Sequence, residues 1–188
     1  MSILIFVSHP EVVIDGTVPV PEWGLSETGK TRAKQFAAAH ILDGVGAIWS
    51  SEEVKALDTA EILAEPSGLK VRIDPRLGEN DRSATGFIPP DQFQAAADAF
   101  FASPETSFKG WERAVDAQDR IVKAVREIAR NHAAGDLVIS SHGGVGTLLY
   151  CALAGTSIDR KFDQAGQGNY WTARLPDLVP IHHWRTIG

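Results

Sequence analysis

The sequence predicts an α/β fold, a three-layer α/β/α sandwich with a largely parallel central sheet. Three short runs of apolar and mostly β-branched or aromatic residues are typical of strands buried on both faces, at residues 2–7, 45–49 and 137–139. Each run is followed along the chain by a segment with apolar residues at helical spacing. Strands that alternate with helices in this way build parallel sheets, because each helix returns the chain across one face of the sheet.

The remaining elements follow from capping and turn residues. Ser26 is a good helix N-cap, Gly68 follows the end of the second helix, and Pro104 separates the third helix from the fourth. Residues 11–24 and 74–90 carry no regular pattern and are expected to be ordered loops. In chain order we predict strand 2–7, helix 27–40, strand 45–49, helix 52–65, strand 71–73, helices 91–102 and 111–132, strand 137–139, helix 145–153, and an antiparallel pair at 170–175 and 181–184.

Length and composition limit the class of molecule. With 188 residues, 44% of them hydrophobic, the chain can bury a substantial core, and we expect one domain over residues 1–188. The net charge of -6 disfavours nucleic acid and anionic membranes as partners, and no apolar run approaches the length of a membrane span. We therefore expect a cytoplasmic protein. The single cysteine, Cys151, excludes an internal disulfide, and its apolar neighbours predict that it is buried.

Two of the buried strands end in the same dipeptide, a serine followed by a histidine. His9 follows the first strand, and His142 follows the fourth. Because the carboxyl ends of parallel strands lie at one edge of the sheet, where open α/β sheets bind ligands, the two imidazoles are expected to converge. Gly143 and Gly144 come next and would present backbone N–H groups at a helix N-terminus, which favours an anion such as phosphate. This combination predicts a phosphoryl site.

Phosphoryl transfer through histidine needs a defined set of groups. A neutral imidazole can attack phosphorus when its other nitrogen donates to a fixed acceptor, and a protonated second histidine would stabilise the transferring group. A carboxylic acid must protonate the leaving oxygen and then activate water. From the residues alone, Glu11, Asp15, Glu79 and Asp81 are equal candidates for this acid.

Five segments of the chain resemble motifs of the histidine phosphatase superfamily, the phosphoglycerate mutase-like proteins. Residues 6–11 correspond to the family's Arg-His-Gly motif, and residues 25–29 correspond to the start of its next helix. Residues 50–61 correspond to its Ser-Ser segment, 77–79 to its acidic loop, and 141–144 to its second histidine motif. The resemblance implies a phosphoglycerate mutase-like fold and a phosphatase in which His9 is the phosphorylated nucleophile, His142 the second histidine and Glu79 the proton donor. It also implies a small phosphorylated molecule as substrate and a reaction without metal or cofactor.

Some positions depart from the family pattern. Ser8 and Lys55 stand where the family has phosphate-binding arginines, and Pro10 stands where it has glycine. Because an ammonium does not reproduce the bidentate grip of a guanidinium, we expect weakened activity. Arg82, in the acidic loop, is the candidate for a replacement cation. The predicted substrate-binding residues are therefore Ser8, Lys55, Arg82 and Gly143.

Simpler interpretations stand beside these. Lys55 also fits a solvated helix residue, and Arg82 also fits a surface ion pair. For the whole chain, two functions remain open. One is a metal-independent phosphohydrolase that works through phosphorylated His9, with mutase activity disfavoured because no extra segment for retaining a phosphoglycerate is evident. The other is a phospho-ligand-binding or regulatory protein of the same fold that turns over poorly.

Overall fold

Residues 2–188, the part of the chain that the computed structural model describes, form six strands and five α-helices. The strands are β1 Ile3–Ser8, β2 Val45–Ser50, β3 Val71–Ile73, β4 Asp136–Ser141, β5 Asn169–Arg174 and β6 Val179–Thr186. The helices are α1 Glu27–Ala37, α2 Val54–Ala64, α3 Pro90–Ala102, α4 Ala114–Arg130 and α5 Gly143–Ala154. Every predicted strand and helix is present, with shifted ends.

The strands make one mixed sheet in the order β3-β2-β4-β1-β5-β6. The first four strands in this order are mutually parallel, whereas β5 pairs antiparallel with β1, and β6 pairs antiparallel with β5. The predicted α/β class with a largely parallel sheet and a terminal antiparallel pair is therefore confirmed.

Helices cover both faces of the sheet, as the uninterrupted apolar runs predict. Along β1, Leu4 and Phe6 pack into a core shared with α3, α4 and α5. Ile5 and Val7 point to the opposite face, where they pack with residues of α1 and α2. Because neighbouring strand residues alternate between faces, a single apolar strand contributes to two cores, and the three-layer arrangement follows.

Helix ends differ from the sequence-based prediction where the backbone finds other partners. α1 stops at Ala37, and residues 40–42 form a separate 3₁₀ turn. α4 starts at Ala114 rather than at 111, because the Trp111 amide donates to Phe108 and the Glu112 amide donates to the carbonyl of Asp81. The second of these bonds attaches the start of α4 to the loop that follows β3.

The neighbouring strands β1 and β4 fix the place where the chain leaves the sheet after each Ser-His dipeptide. Ser8 and Ser141 are paired in register, and the amide of His9 donates to the carbonyl of Ser141 over 3.1 Å. The two histidines therefore leave the same edge of the sheet side by side. Farther along α5, Cys151 is fully buried, as predicted.

Candidate active site

The two imidazole rings at this sheet edge lie next to each other in an edge-to-face arrangement. The ring centroids of His9 and His142 lie 5.4 Å apart, and their planes are inclined by 67°. The prediction that the two rings converge is confirmed by this distance. The rings are close enough for one phosphoryl group to contact both, which makes the space around them the candidate active site.

His9 is oriented by its own backbone. Its Nδ1 lies 2.9 Å from the carbonyl oxygen of Pro10, and because a carbonyl only accepts, Nδ1 carries the proton. Nε2 of the neutral ring is therefore unprotonated. Burial lowers the pKa of His9 to about 4, and the positive charges of Lys55 and Arg82 act in the same direction. The ring is neutral at pH 7, as a nitrogen nucleophile requires.

His142 is fully buried behind this ring. Its Nε2 lies 2.8 Å from Oγ of Ser51 and 3.3 Å from Oε1 of Glu53, whereas its Nδ1 finds no hydrogen-bond partner in the described part of the chain. Burial lowers the pKa of His142 to about 4, although Glu53 and Glu79 act to raise it. This lowered pKa keeps the ring neutral at pH 7, and its protonation beside a transferring phosphoryl group stays a prediction.

The carboxylate of Glu79 occupies the N-terminus of α5. It accepts hydrogen bonds from the amides of Gly144 at 3.1 Å and Val145 at 3.0 Å, and from that of Asn80 at 3.1 Å. The expectation that Gly144 offers a free amide to phosphate is therefore wrong, because that amide already donates to Glu79. Gly143, the first residue of α5, donates no bond to Glu79.

The loop that carries Glu79 is held by a residue that sequence reasoning missed. Arg120, on α4, donates to the carbonyls of Arg76 at 2.7 Å, Gly78 at 2.9 Å and Glu79 at 3.2 Å. It also forms an ion pair with Glu112 at 2.7 Å. An arginine on a surface helix gives no sequence signal for this role, since its partners are backbone atoms far away in the chain.

Arg82 lies on the same side of the site as Glu79. One of its Nη atoms is 3.1 Å from Oε2 of Glu79. Its Cζ lies 5.1 Å from the ring centre of Phe93 and 5.4 Å from that of Trp111, so two aromatic faces orient the guanidinium. Arg82 is thus directed toward the site and retains 26% exposure of its side chain.

Lys55 is buried and paired with Glu53, whose Oε1 accepts a hydrogen bond from the amide of Glu79 at 2.9 Å. Its Nζ contacts Oε2 of Glu53 at 2.5 Å and the carbonyl oxygen of Val20 at 2.9 Å. Burial opposes the charge of Glu53, but His142 and Lys55 more than offset this and lower the pKa of its carboxyl to about 2. Sequence reasoning missed Glu53, although it falls inside the 50–61 segment, at the N-cap of α2.

Ser8 and Gly143 both lie against one side chain, that of Gln164. Oγ of Ser8 donates to Oε1 of Gln164 at 2.5 Å and accepts from the amide of Asn169 at 3.0 Å. Ser8 is fully buried. A Cβ at position 143 would overlap Nε2 of Gln164, so a larger residue there would require that side chain to move. No sequence pattern had marked Gln164 or Asn169.

The other three candidate acids are bound elsewhere. Glu11 pairs with Arg32, Asp15 accepts from Thr17, and Asp81 accepts from the amide of Ser83. Of the four candidates, Glu79 is the one that contacts the helix carrying His142. Nowhere in residues 2–188 do three histidine, cysteine or acidic side chains gather in a metal-binding cluster. Over the same range, no helix combines the length and apolarity needed to cross a bilayer.

The fold and site together define a class of protein, an α/β protein with a largely parallel sheet and two opposed histidines at one edge of that sheet. The family model of the histidine phosphatase superfamily (branch 1) matches residues 10–170. A glucosyl-3-phosphoglycerate phosphatase from Mycolicibacterium vanbaalenii is 33% identical over 158 residues, which cover 77% of this chain and 69% of that protein. The chain therefore belongs to the histidine phosphatase superfamily, branch 1.

Two further relatives agree with this membership. Phosphoserine phosphatase 1 from Hydrogenobacter thermophilus is 26% identical over 141 residues, which cover 72% of this chain and 67% of that protein. The structure of a mycobacterial glucosyl-3-phosphoglycerate phosphatase in complex with inorganic phosphate superposes with a TM-score of 0.76. That alignment is 25% identical and covers 98% of this chain and 95% of the other. The predicted phosphoglycerate mutase-like architecture is confirmed by these matches.

Proposed function

We propose that this protein is a phosphatase that hydrolyses a small phosphomonoester through a phosphohistidine at His9. The observation that carries the proposal is the orientation of that ring. Nδ1 donates to the carbonyl of Pro10, which leaves Nε2 with its lone pair free beside His142. The depressed pKa of His9 keeps this lone pair available at neutral pH.

The reaction proceeds in two steps. Nε2 of His9 attacks phosphorus, the bond from phosphorus to the ester oxygen breaks, and Glu79 in its protonated form gives its proton to the leaving oxygen. A water molecule then attacks the phosphohistidine while Glu79 takes back a proton, and inorganic phosphate and free His9 are released. Glu79 serves both steps because it stays at the N-terminus of α5 next to the histidines.

Several groups stabilise the negative charge that develops on the phosphoryl oxygens. Nδ1 of His142, which has no partner among residues 2–188, gains a proton as the anion binds and donates to it. Lys55 and Arg82 supply positive charge, and the amide of Gly143 supplies a backbone donor at the helix end. These groups surround the phosphoryl position without any metal ion in the scheme.

A second candidate function follows from the way the cations are paired. Lys55 contacts Glu53, and Arg82 contacts Glu79, so each positive charge in the site is neutralised by a carboxylate. With a serine and a lysine where the family has arginines, this balance favours weak turnover. The alternative is therefore a catalytically impaired protein of the same fold that binds a phosphorylated ligand.

The test is a panel of phosphomonoesters assayed with wild type and with His9→Ala, followed by acid-labile phosphate in quenched reactions. The panel includes sugar phosphates, phosphoglycerates and phosphoserine, in line with the names of the relatives. Wild type is expected to turn over at least one ester, and His9→Ala is expected to lose roughly a thousandfold or more in kcat/KM. His40→Ala, which alters an exposed histidine, serves as the matched control.

The outcomes separate the two functions. Phosphate that is covalently bound in wild type and absent from His9→Ala supports the enzyme. Binding of phosphate without turnover of any ester supports the binding protein instead. Turnover that survives His9→Ala would contradict the phosphohistidine route.

A further inference from the structure

The side chain of Gln164 lies across the two histidine motifs. Its Oε1 accepts a hydrogen bond from Ser8, the residue before His9. Its amide also lies against Gly143, the residue after His142, with Nε2 as the nearest atom. Because β1 and β4 are neighbours in the sheet, the amide group of Gln164 spans the two strand ends from which the histidines project.

The hydrogen bonds fix which end of this amide is which. Oε1 of Gln164 accepts from Oγ of Ser8 at 2.5 Å and from Nδ2 of Asn169 at 3.2 Å. The reversed amide would bring two NH₂ groups together at Asn169, so the observed orientation is the one that the network permits. The backbone is held as well, since the amide of Gln164 donates to Oδ1 of Asp163 at 2.9 Å.

This network leaves Nε2 of Gln164 as a hydrogen-bond donor without an acceptor among the described residues. No atom of residues 2–188 accepts a hydrogen bond from it, although the same side chain uses its oxygen twice. Nε2 lies beside Gly143, at the helix end that adjoins His142. A phosphoryl group held between the two histidines would bring oxygen acceptors to this position.

Ser8 explains why the amide can take this place. The hydroxyl of Ser8 is fully buried and is used by Gln164 and Asn169, so it has no free reach toward a ligand. A serine at this position also leaves the volume that a long arginine side chain would fill. Gln164 enters that volume and brings a donor with it, but without the positive charge.

We propose that Nε2 of Gln164 donates a hydrogen bond to a phosphoryl oxygen bound between His9 and His142, and that Ser8 is a positioning residue that orients this amide. The inference rests on the proposed function, since it concerns the same phosphoryl site. It assigns to a neutral amide the place that an arginine holds in the family pattern. It also makes the glycine at position 143 part of the binding site, because any larger residue would displace the amide.

The experiment measures the dissociation constant for inorganic phosphate, and for orthovanadate as a second probe, in wild type and in two variants. Gln164→Glu keeps an oxygen for Ser8 and Asn169 and replaces Nε2 by a carboxylate oxygen, so the fold is retained while the donor becomes an anion. Its dissociation constant is expected to rise by roughly a hundredfold, and that of Gln164→Ala by roughly tenfold. Gln167→Ala, an exposed glutamine in the same loop, is the control and is expected to match wild type.

Ser8 requires a test that a merely structural role would not satisfy. Ser8→Ala removes one of the two donors that orient Gln164 and is expected to weaken phosphate binding by roughly threefold. In the Gln164→Ala background the same substitution is expected to have no further effect on phosphate binding, because the group it positions is gone. Effects that multiply in the double variant would show that Ser8 acts independently and would overturn the positioning role.

The outcomes also distinguish this inference from the function on which it rests. If wild type binds neither phosphate nor orthovanadate, the proposed function fails and the role of Gln164 fails with it. If wild type binds phosphate and both Gln164 variants bind it equally well, the function stands and only the role of Gln164 is overturned. Weaker binding in both variants, with Gln167→Ala unchanged, supports the proposal.

Discussion

The two cations of the site are held very differently by the protein. Lys55 is buried, and its ammonium contacts both the carboxylate of Glu53 and the carbonyl of Val20. Arg82 keeps 26% of its side chain exposed and is held by one carboxylate, that of Glu79, together with two aromatic faces. The Lys55–Glu53 pair belongs to the protein interior, whereas Arg82 borders on solvent.

The difference in burial predicts a division of labour between the two pairs. A buried ion pair becomes costly when one partner is removed, because the remaining charge stays out of water without compensation. A partly exposed arginine can release its carboxylate partner and bind a phosphoryl oxygen instead, since water stabilises the guanidinium between the two contacts. Stability should therefore depend more on the Lys55 side of the site, and ligand recognition more on the Arg82 side.

The largest expected effect is on stability, and it comes from Glu53. Glu53→Gln leaves the buried ammonium of Lys55 without its counter-ion, and we expect a loss of about 3 kcal/mol in the free energy of unfolding. Glu79→Gln leaves Arg82 free to turn toward solvent, and we expect a loss of about 1 kcal/mol. Urea unfolding measures both, with Glu52→Gln, an exposed neighbour of Glu53, as the control. Equal losses of unfolding free energy in Glu53→Gln and Glu79→Gln would contradict the predicted difference between the two ion pairs.

The same substitution carries a pH signature. The pKa of Glu53 is lowered from 4.5 to about 2, so the charged form is favoured by the folded state. Its contribution to stability is fully present above about pH 4.5 and is lost as the pH falls toward 2. Wild type should therefore lose stability across this range more steeply than Glu53→Gln. Parallel curves of unfolding free energy against pH would show that the Glu53 charge is not stabilised by folding.

A smaller effect is expected on ligand binding from Arg82. Arg82→Ala removes a charge-assisted hydrogen bond to phosphate, and we expect the dissociation constant for phosphate to rise tenfold or somewhat more, equivalent to roughly 1.5 kcal/mol. Isothermal titration with phosphate measures this change. Arg113→Ala breaks an exposed ion pair with Asp116 away from the site and is the matched control. If Arg82→Ala binds phosphate as wild type does, Arg82 is not the replacement cation.

The central geometry could be predicted from sequence because it follows from local rules. Buried strands appear as apolar runs, and parallel strands end at a common edge, so the histidines that follow two such strands must approach each other. The placement of His9 and His142 therefore needed only the positions at which two apolar runs stop. The start of α4 was misplaced because the Glu112 amide bonds to Asp81, in a loop that is distant in sequence, which periodicity does not reveal.

The supporting side chains could not be predicted because their partners come from packing. Glu53 reads in sequence as one of two consecutive acids at a helix start, and only the fold brings it to His142 and Lys55. Gln164 lies in a loop without a pattern, and its contacts with β1 and α5 arise from the path of that loop. The lowered pKa of His142 could not be predicted either, since desolvation depends on how completely the folded chain covers the ring.

The smallest expected effect concerns the aromatic rings that orient Arg82. It tests the contrast between the two cations, because no aromatic ring of residues 2–188 contacts the ammonium of Lys55 in this way. Phe93→Leu keeps an apolar side chain but removes the ring that lies 5.1 Å from the guanidinium. The cation–π contact at a partly exposed site is worth about 0.5–1 kcal/mol, so phosphate should bind roughly threefold more weakly. Phe36→Leu is the control, since that ring packs against Tyr170 on the opposite face of the sheet from Phe93. Equally weaker phosphate binding in both variants would indicate a general packing defect. Weaker binding in Phe93→Leu alone, with no further effect of this substitution in the Arg82→Ala background, would show that the ring acts through the guanidinium.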